Sequence, residues 1–136
     1  MRVLFDTNVL VDAAVASRSH HRTAVRLIDK VEQGSLSGVL APLSLGTIWY
    51  LGVEHYSTDP RPLIEDLSTV MDLAPMGRPV LSDALRYPPD SDFEDVYLAE
   101  AGTAAGAGVV APRNAADFAP TPLTAHTPHE LLGMTP

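Results

Sequence analysis

At 136 residues the chain is long enough for one compact domain burying roughly two thirds of the surface its unfolded form would expose. It contains no cysteine, which excludes disulfides, thiolate zinc sites and a cysteine nucleophile. Its 17 acidic residues outnumber 9 basic ones, giving a formal charge of −8, and this argues against general duplex binding, which rests on dense basic patches.

Met1 and Arg2 lead directly into Val3 to Phe5, an apolar run suited to a buried strand and too short for the core of a secretory signal. The expected location is therefore the cytoplasm. Asp6 follows at the carboxyl end of that strand, where ligands collect in open parallel sheets, although Asp-Thr-Asn is also a good helix cap. Asn8 to Ala16 is apolar enough for a buried helix, and His20 to Glu32 repeats Ala24, Val25, Leu27, Ile28 and Val31 at helical spacing until Gly34 ends it. The uncharged stretch from Gln33 to Val53 approaches the roughly 20 residues a membrane helix needs, but Gly34, Gly38, Pro42, Gly46 and Gly52 interrupt it. A short strand at Val39 and Leu40, closed by Pro42, explains it better. Ser44 would cap a following helix with Leu45, Ile48, Trp49, Leu51 and Val53 on its buried side.

Further on, Pro62 to Met71 reads as an amphipathic helix, Leu73 to Met76 as a weak third strand, Pro79 to Arg86 as a short helix and Tyr87 to Asp90 as a proline turn. Ser91 to Asp95 fits a capping box, Ser91 paired with Glu94, which places Asp92 and Asp95 on one face of the first turn. Such acids suit a helix N-terminus, yet several in succession repel one another and invite a cation. Ala99 to Ala107 completes this helix and Gly108 turns the chain. Val109 to Ala111 is a buried strand, with Pro112 to Phe118 as the loop at its carboxyl end, where Asp117 occupies the place that Asp6 has on the first strand. Leu123 to Ala125 would form a last strand, and His129 to Leu132 a last helix with Thr127 as cap and Pro128 at its first position. The alternation predicts a central, mostly parallel sheet with right-handed crossovers and helices on both faces.

Four segments, V-L-F-D-T-N-V-L-V-D at Val3 to Asp12, S-L-G-T-I-W-Y-L at Ser44 to Leu51, D-F-E-D-V-Y-L-A at Asp92 to Ala99 and V-A-P-R-N-A-A-D-F at Val110 to Phe118, resemble PIN domains, in particular the VapC toxin ribonucleases of VapBC-type toxin-antitoxin pairs. The likeness spans almost the whole chain. It implies a single PIN-like domain over residues 1–136, a three-layer α/β/α sandwich, Mg²⁺ or Mn²⁺ in an acidic cleft, metal-dependent hydrolysis of RNA, a homodimer and a cognate antitoxin protein as partner. By position it implies Asp6, Asp95 and Asp117 as catalytic metal ligands and Asn114 as a polar neighbour, with Asp92, Asn8, Thr47 and Arg113 in supporting places.

Thr47 departs from the pattern, because the family usually has an acid there. A hydroxyl brings no negative charge and cannot act as a carboxylate base. Asp92 or Glu54 would have to compensate, although Glu54 lies about two turns further along the helix. The alternative is a PIN-like binding module with weakened or lost turnover. Arg113 reads either as a phosphate contact or as a structural ion-pair partner. A receiver-type phosphoacceptor domain also gathers carboxylates at strand ends, but only Asp6 follows the first strand and the single lysine is Lys30. His20, His21, His126 and His129 form no convincing metal set and read as surface residues, while Trp49 and Tyr50 read as core and dimer contacts. The apolar faces of the first helices are candidate seats for an antitoxin helix.

Overall fold

The computed structural model describes all 136 residues. Its elements follow in the order β1 (Arg2–Phe5), α1 (Thr7–Ala14), α2 (His21–Glu32), β2 (Ser37–Leu40), α3 (Pro42–Glu54), α4 (Arg61–Val70), β3 (Asp72–Leu73), α5 (Arg78–Ala84), α6 (Phe93–Ala104), β4 (Val109–Ala111), a 3-10 helix (Ala115–Phe118), β5 (Thr124–Ala125) and α7 (Pro128–Met134). The five strands form one sheet in the order β3-β2-β1-β4-β5, and every pairing is parallel. This is the expected α/β/α sandwich. Its connections run through helices because parallel neighbours cannot be joined by a tight turn.

Side chains of successive strand residues point to opposite faces, so the short strands feed two separate cores. Val3, Phe5, Leu40 and Ala111 pack with Leu10, Leu27, Ile48, Leu67 and Leu131, which places α1, α2, α3, α4 and α7 on one face. Leu4, Val39 and Val110 pack with Val80, Leu98, Ala101 and Phe118, which places α5, α6 and the 3-10 helix on the other. The inner strand residues Val3, Leu4, Phe5, Val39, Leu40 and Val110 are fully buried, as a sheet covered on both sides requires.

The small residues of α6 allow its close approach to β1. A Cβ built on Gly102 would stand 2.8 Å from Leu4 Cδ2 and 3.1 Å from Leu4 Cβ, and Leu4 is fully buried. Gly102→Ala is therefore expected to destabilise the protein by about 1–3 kcal/mol, measured as a lower denaturant midpoint at unchanged slope. A loss below ~0.5 kcal/mol would mean that the two layers slide apart easily.

Several expected boundaries move, each for a local reason. Helix α3 begins at Pro42, whose fixed φ suits the first helical position, so Pro42 starts the helix as well as closing the strand. Ala41 takes the cap position and Ser44 sits inside the first turn. Trp49, Tyr50 and Val53 are 47%, 58% and 42% exposed, so the buried stripe of α3 is Ser44, Ile48 and Gly52, and neither aromatic belongs to the core. Conversely α1 is buried almost all round and presents no apolar face on which an antitoxin helix could seat. Strand β3 covers Asp72–Leu73 rather than Leu73 to Met76, a short edge pairing flanked by buried Met71 and Ala74. Helix α6 stops at Ala104, and the left-handed turn after it is made by Gly106, at φ 85°, rather than by Gly108. Gly34, at φ 80°, ends α2 as expected. No helix is long and apolar enough to cross a membrane.

Candidate active site

The end of β1 is fixed from two sides. The Asp6 amide donates to the Ala111 carbonyl at 3.1 Å, which holds the end of β1 beside the end of β4. Thr7 and Ser44 share a buried hydroxyl–hydroxyl hydrogen bond of 2.7 Å, which holds the start of α1 against the start of α3. Three connections that leave the sheet at its carboxyl edge are thus tied together, the location where ligands collect in parallel sheets.

Asp6 occupies the N-cap position of α1 in an extended conformation, but its side chain makes no cap hydrogen bond. It is 5% exposed. Burial is the main cause that pushes its carboxyl up to about 6; the Thr7 and Arg113 amides pull it down, while Asp117 and Glu94 add repulsion. Asp95, half-buried in the first turn of α6, is pushed up to about 7, first by desolvation and then by Asp92, Asp6, Asp117 and Glu94. A helix N-terminus favours a carboxylate by only ~0.3–1 kcal/mol, less than the ~1.4 kcal/mol of one pKa unit, so the dipole is overwhelmed at both positions. Helix capping alone does not account for these two acids.

Asp92 is different, because it does cap α6, its Oδ1 accepting from the Asp95 amide at 3.1 Å. The box centred on Ser91 does not form. Glu94, which that box would have used, instead faces the cluster and raises both Asp6 and Asp95. It stands beside Asp95 in D-F-E-D, where a capping box and a cluster of acids share one spacing. Glu54, at the exposed end of α3, is not among the charges that act on Asp6 or Asp95. Thr47 is half-buried one turn after Ser44 and adds no charge, and the fourth acid whose charge acts on both Asp6 and Asp95 is Glu94 of α6.

Asp117 lies exposed on the 3-10 helix after β4, where Asn114 caps the helix through the Ala116 amide at 3.2 Å and donates from Nδ2 to Asp117 Oδ1 at 3.2 Å. Asn114 therefore orients Asp117. Asn8 is exposed on the first turn of α1. The Arg113 head group turns away from the acids and bonds to Asp12, which also accepts from Arg18 Nε at 2.7 Å. Arg18 in turn donates to the Tyr56 hydroxyl at 3.1 Å. Asp12, 2% exposed, is thus the anchor of a structural ion cluster that sequence spacing did not disclose, since Arg113 lies 101 residues away.

No cation lies within ion-pair distance of Asp6, Asp92, Glu94, Asp95 or Asp117. None of these acids lines a cavity; Asp92, Glu94 and Asp117 are exposed, Asp95 is half-buried and Asp6 is buried. No three acidic or histidine side chains stand in ready-made metal-binding geometry. The donors nevertheless fit a hard divalent cation in kind: they are carboxylates, they repel one another, and no basic side chain relieves them. Because such donors must ionise to bind, Mn²⁺ affinity is expected to rise on the order of 10- to 100-fold from pH 5.5 to 8.0, as Asp6 and Asp95 lose their protons. Calorimetry at the two pH values checks this; equal affinities would show that neither acid is a ligand.

The family model described as PIN domain matches residues 2–116 of the chain. A search of curated proteins finds no match.

Proposed function

This chain belongs to the PIN domain family, whose members are generally nucleases, and from that premise we propose that it is a metal-dependent endoribonuclease. The observation that carries the reading is the meeting of Asp6, Asp95, Asp117 and Glu94 from three separate segments, with no cation of the protein's own to balance them. Asp6, Asp95 and Asp117 are the residues that would hold Mg²⁺ or Mn²⁺. When bound, the ion supplies Lewis-acid stabilisation of the charge that grows on phosphate and lowers the pKa of water.

The protein's own part is positioning. Buried Asp6 and its neighbours Thr7 and Ser44 give the site a rigid base, and Asn114 aims Asp117. Exposed Glu94 and Asp117 stand at the rim, with Asp117 held by the Asn114 amide. In the hydrolysis, a water oxygen joins phosphorus, one phosphorus–oxygen ester bond breaks, and the departing alcohol takes up a proton. A cation is needed to hold a phosphate against these carboxylates themselves, since like charges repel.

The biological setting we infer is that of a VapC-like toxin, homodimeric and held in check by an antitoxin protein. The exposed Leu43, Trp49, Tyr50 and Val53 of α3 supply apolar surface for such contacts. A second reading, a PIN-like module that binds without turnover, is favoured by Thr47 and by the absence of a ready-made three-ligand geometry.

One experiment separates the two. Cleavage of single-stranded RNA by the purified protein is expected with Mg²⁺ or Mn²⁺ and not with EDTA, and Thr47→Glu is expected to raise the rate at limiting metal by roughly tenfold. Absence of cleavage by both proteins at saturating metal would reject the nuclease. Cleavage by Thr47→Glu alone would mark the natural chain as the silent module.

A further inference from the structure

A cavity of about 380 Å³ opens between α1, α2, the loop after β4 and the start of α7, and its polar lining is Asp12, His20, Thr23, Arg113, Thr127 and His129. This volume lies in the range of small-ligand sites, about 300–1,000 Å³. Its charge balance differs from that of the acidic face. Asp12 is its one acid, and that carboxylate is already engaged by Arg113 within the wall and by Arg18 from outside it. The lining therefore carries one guanidinium against one fully partnered carboxylate, without the excess of acids around Asp6. The Thr127 hydroxyl is committed to the capping box of α7, where it pairs with Glu130. What remains to face a ligand is the Arg113 edge not turned to Asp12, the exposed imidazoles of His20 and His129, and the Thr23 hydroxyl.

Arg113 joins this cavity to the acidic cluster. It lies two residues after Ala111, whose carbonyl accepts from the Asp6 amide at 3.1 Å, while its side chain reaches the cavity wall. Val9 and Asp12, also in the wall, lie one and two turns beyond Asp6 on α1, or roughly 5–9 Å along the helix. A ligand that spans both places must present one anionic group to a cation held at Asp6 and offer another to a donor-rich hollow a short distance away. A polynucleotide strand has that repeat. Imidazole rings and a guanidinium held flat by Asp12 also offer planes on which an unpaired base can stack.

Resting on the nuclease reading above, we propose that this cavity is a subsite for the nucleotide that flanks the scissile phosphodiester, with its phosphate received by Arg113, His20, His129 and Thr23. It gives an acidic protein a second hold on its substrate that does not depend on metal. It also explains why Arg113 is locked in place by Asp12 rather than left to reach the reacting phosphate.

The test uses the full chain in EDTA, so that cleavage cannot interfere, with a fluorescein-labelled single-stranded RNA hexamer at low salt. The double variant His20→Ala/His129→Ala alters two exposed side chains and leaves the Asp12 ion cluster intact; Thr23→Val provides an independent change. Binding is expected to weaken roughly tenfold in the double variant, with melting temperature and Mn²⁺ affinity unchanged, and imidazole NMR signals of the natural protein that shift with RNA should be absent from that variant. Equal RNA affinity in all three proteins, or no RNA binding by the natural protein, overturns the subsite. A glutamate decapeptide that occupies the cavity more tightly than the RNA also overturns it, since an acidic peptide would then be the occupant. Metal-dependent cleavage scored in parallel keeps the two ideas apart: cleavage with unchanged variant affinity removes the subsite alone, and variant-sensitive binding without cleavage removes the catalytic reading and with it the subsite's place beside a scissile bond, leaving a cavity that binds RNA.

Discussion

Asp6→Asn is expected to abolish RNA cleavage, by ~100-fold or more, while making the metal-free protein more stable. The second effect follows from the direction of the shift at Asp6, whose carboxyl is raised to about 6 mainly by burial. An acid raised in the folded state contributes stability that is fully present below its unfolded pKa and is lost as pH rises through its folded pKa. The natural protein without metal should therefore lose stability between about pH 4 and pH 7, by at most ~3 kcal/mol from Asp6. Asparagine keeps the shape and removes the charge, but it brings amide protons that need partners, so the net gain at pH 8 should be about 1–2 kcal/mol. Urea unfolding in EDTA at pH 5.5 and 8.0 measures it. The difference between variant and natural protein should shrink towards the lower pH. If Asp6 were chiefly a helix cap, the same substitution would reduce stability or leave it unchanged, and the metal-free protein would show no such pH trend.

Asp12→Ala carries the largest expected loss of stability. The Asp12 side chain is 3% exposed, while the partnered side chains of Arg18 and Arg113 are 19% and 38% exposed. Removing the carboxylate leaves both guanidiniums without their counter-charge, Arg18 keeping only the Tyr56 hydroxyl, and such a change costs about 3–5 kcal/mol when all partners are buried. Arg113 retains some access to water, so about 2–4 kcal/mol is expected here. The loss should appear as a lower denaturant midpoint, and Arg18→Met combined with Asp12→Ala should cost less than the sum of the two single changes. A single-variant loss below ~1 kcal/mol would reduce the cluster to the level of a surface pair. Because Arg113 also borders the acids, the same variant should blur the placement of the loop that carries Asn114 and Asp117.

These two residues differ in how openly the sequence declares them. Asp6 ends a short apolar strand, and the same junction recurs at Asp117 after β4, so strand, turn and acid could be located from local pattern alone. The parallel sheet was legible for the same reason: Val3 to Phe5 and Val109 to Ala111 are runs that can only be buried. Asp12 gives no such signal. It sits in an apolar helix, and its partners come from the loop before α2 and the loop after β4, a pairing set by the fold. Glu94 was misassigned because a capping box and a charged rim use the same spacing, and only geometry tells which backbone amide is capped. Trp49 and Tyr50 misled for another reason: α3 is apolar on several sides, so periodicity could not choose its buried stripe, which falls on Ser44, Ile48 and Gly52.

In the proposed reading Asp6 and Asp95 together hold a divalent cation that RNA cleavage requires. The most direct test is Mn²⁺ titration calorimetry at pH 8.0 on the natural protein, Asp6→Asn and Asp95→Asn, with RNA cleavage assayed at each point of the titration. Saturable binding by the natural protein is expected, with loss of that binding in both variants and cleavage that rises in step with occupancy. Heats no larger than dilution at millimolar Mn²⁺, or the same isotherm in all three proteins, would contradict that reading.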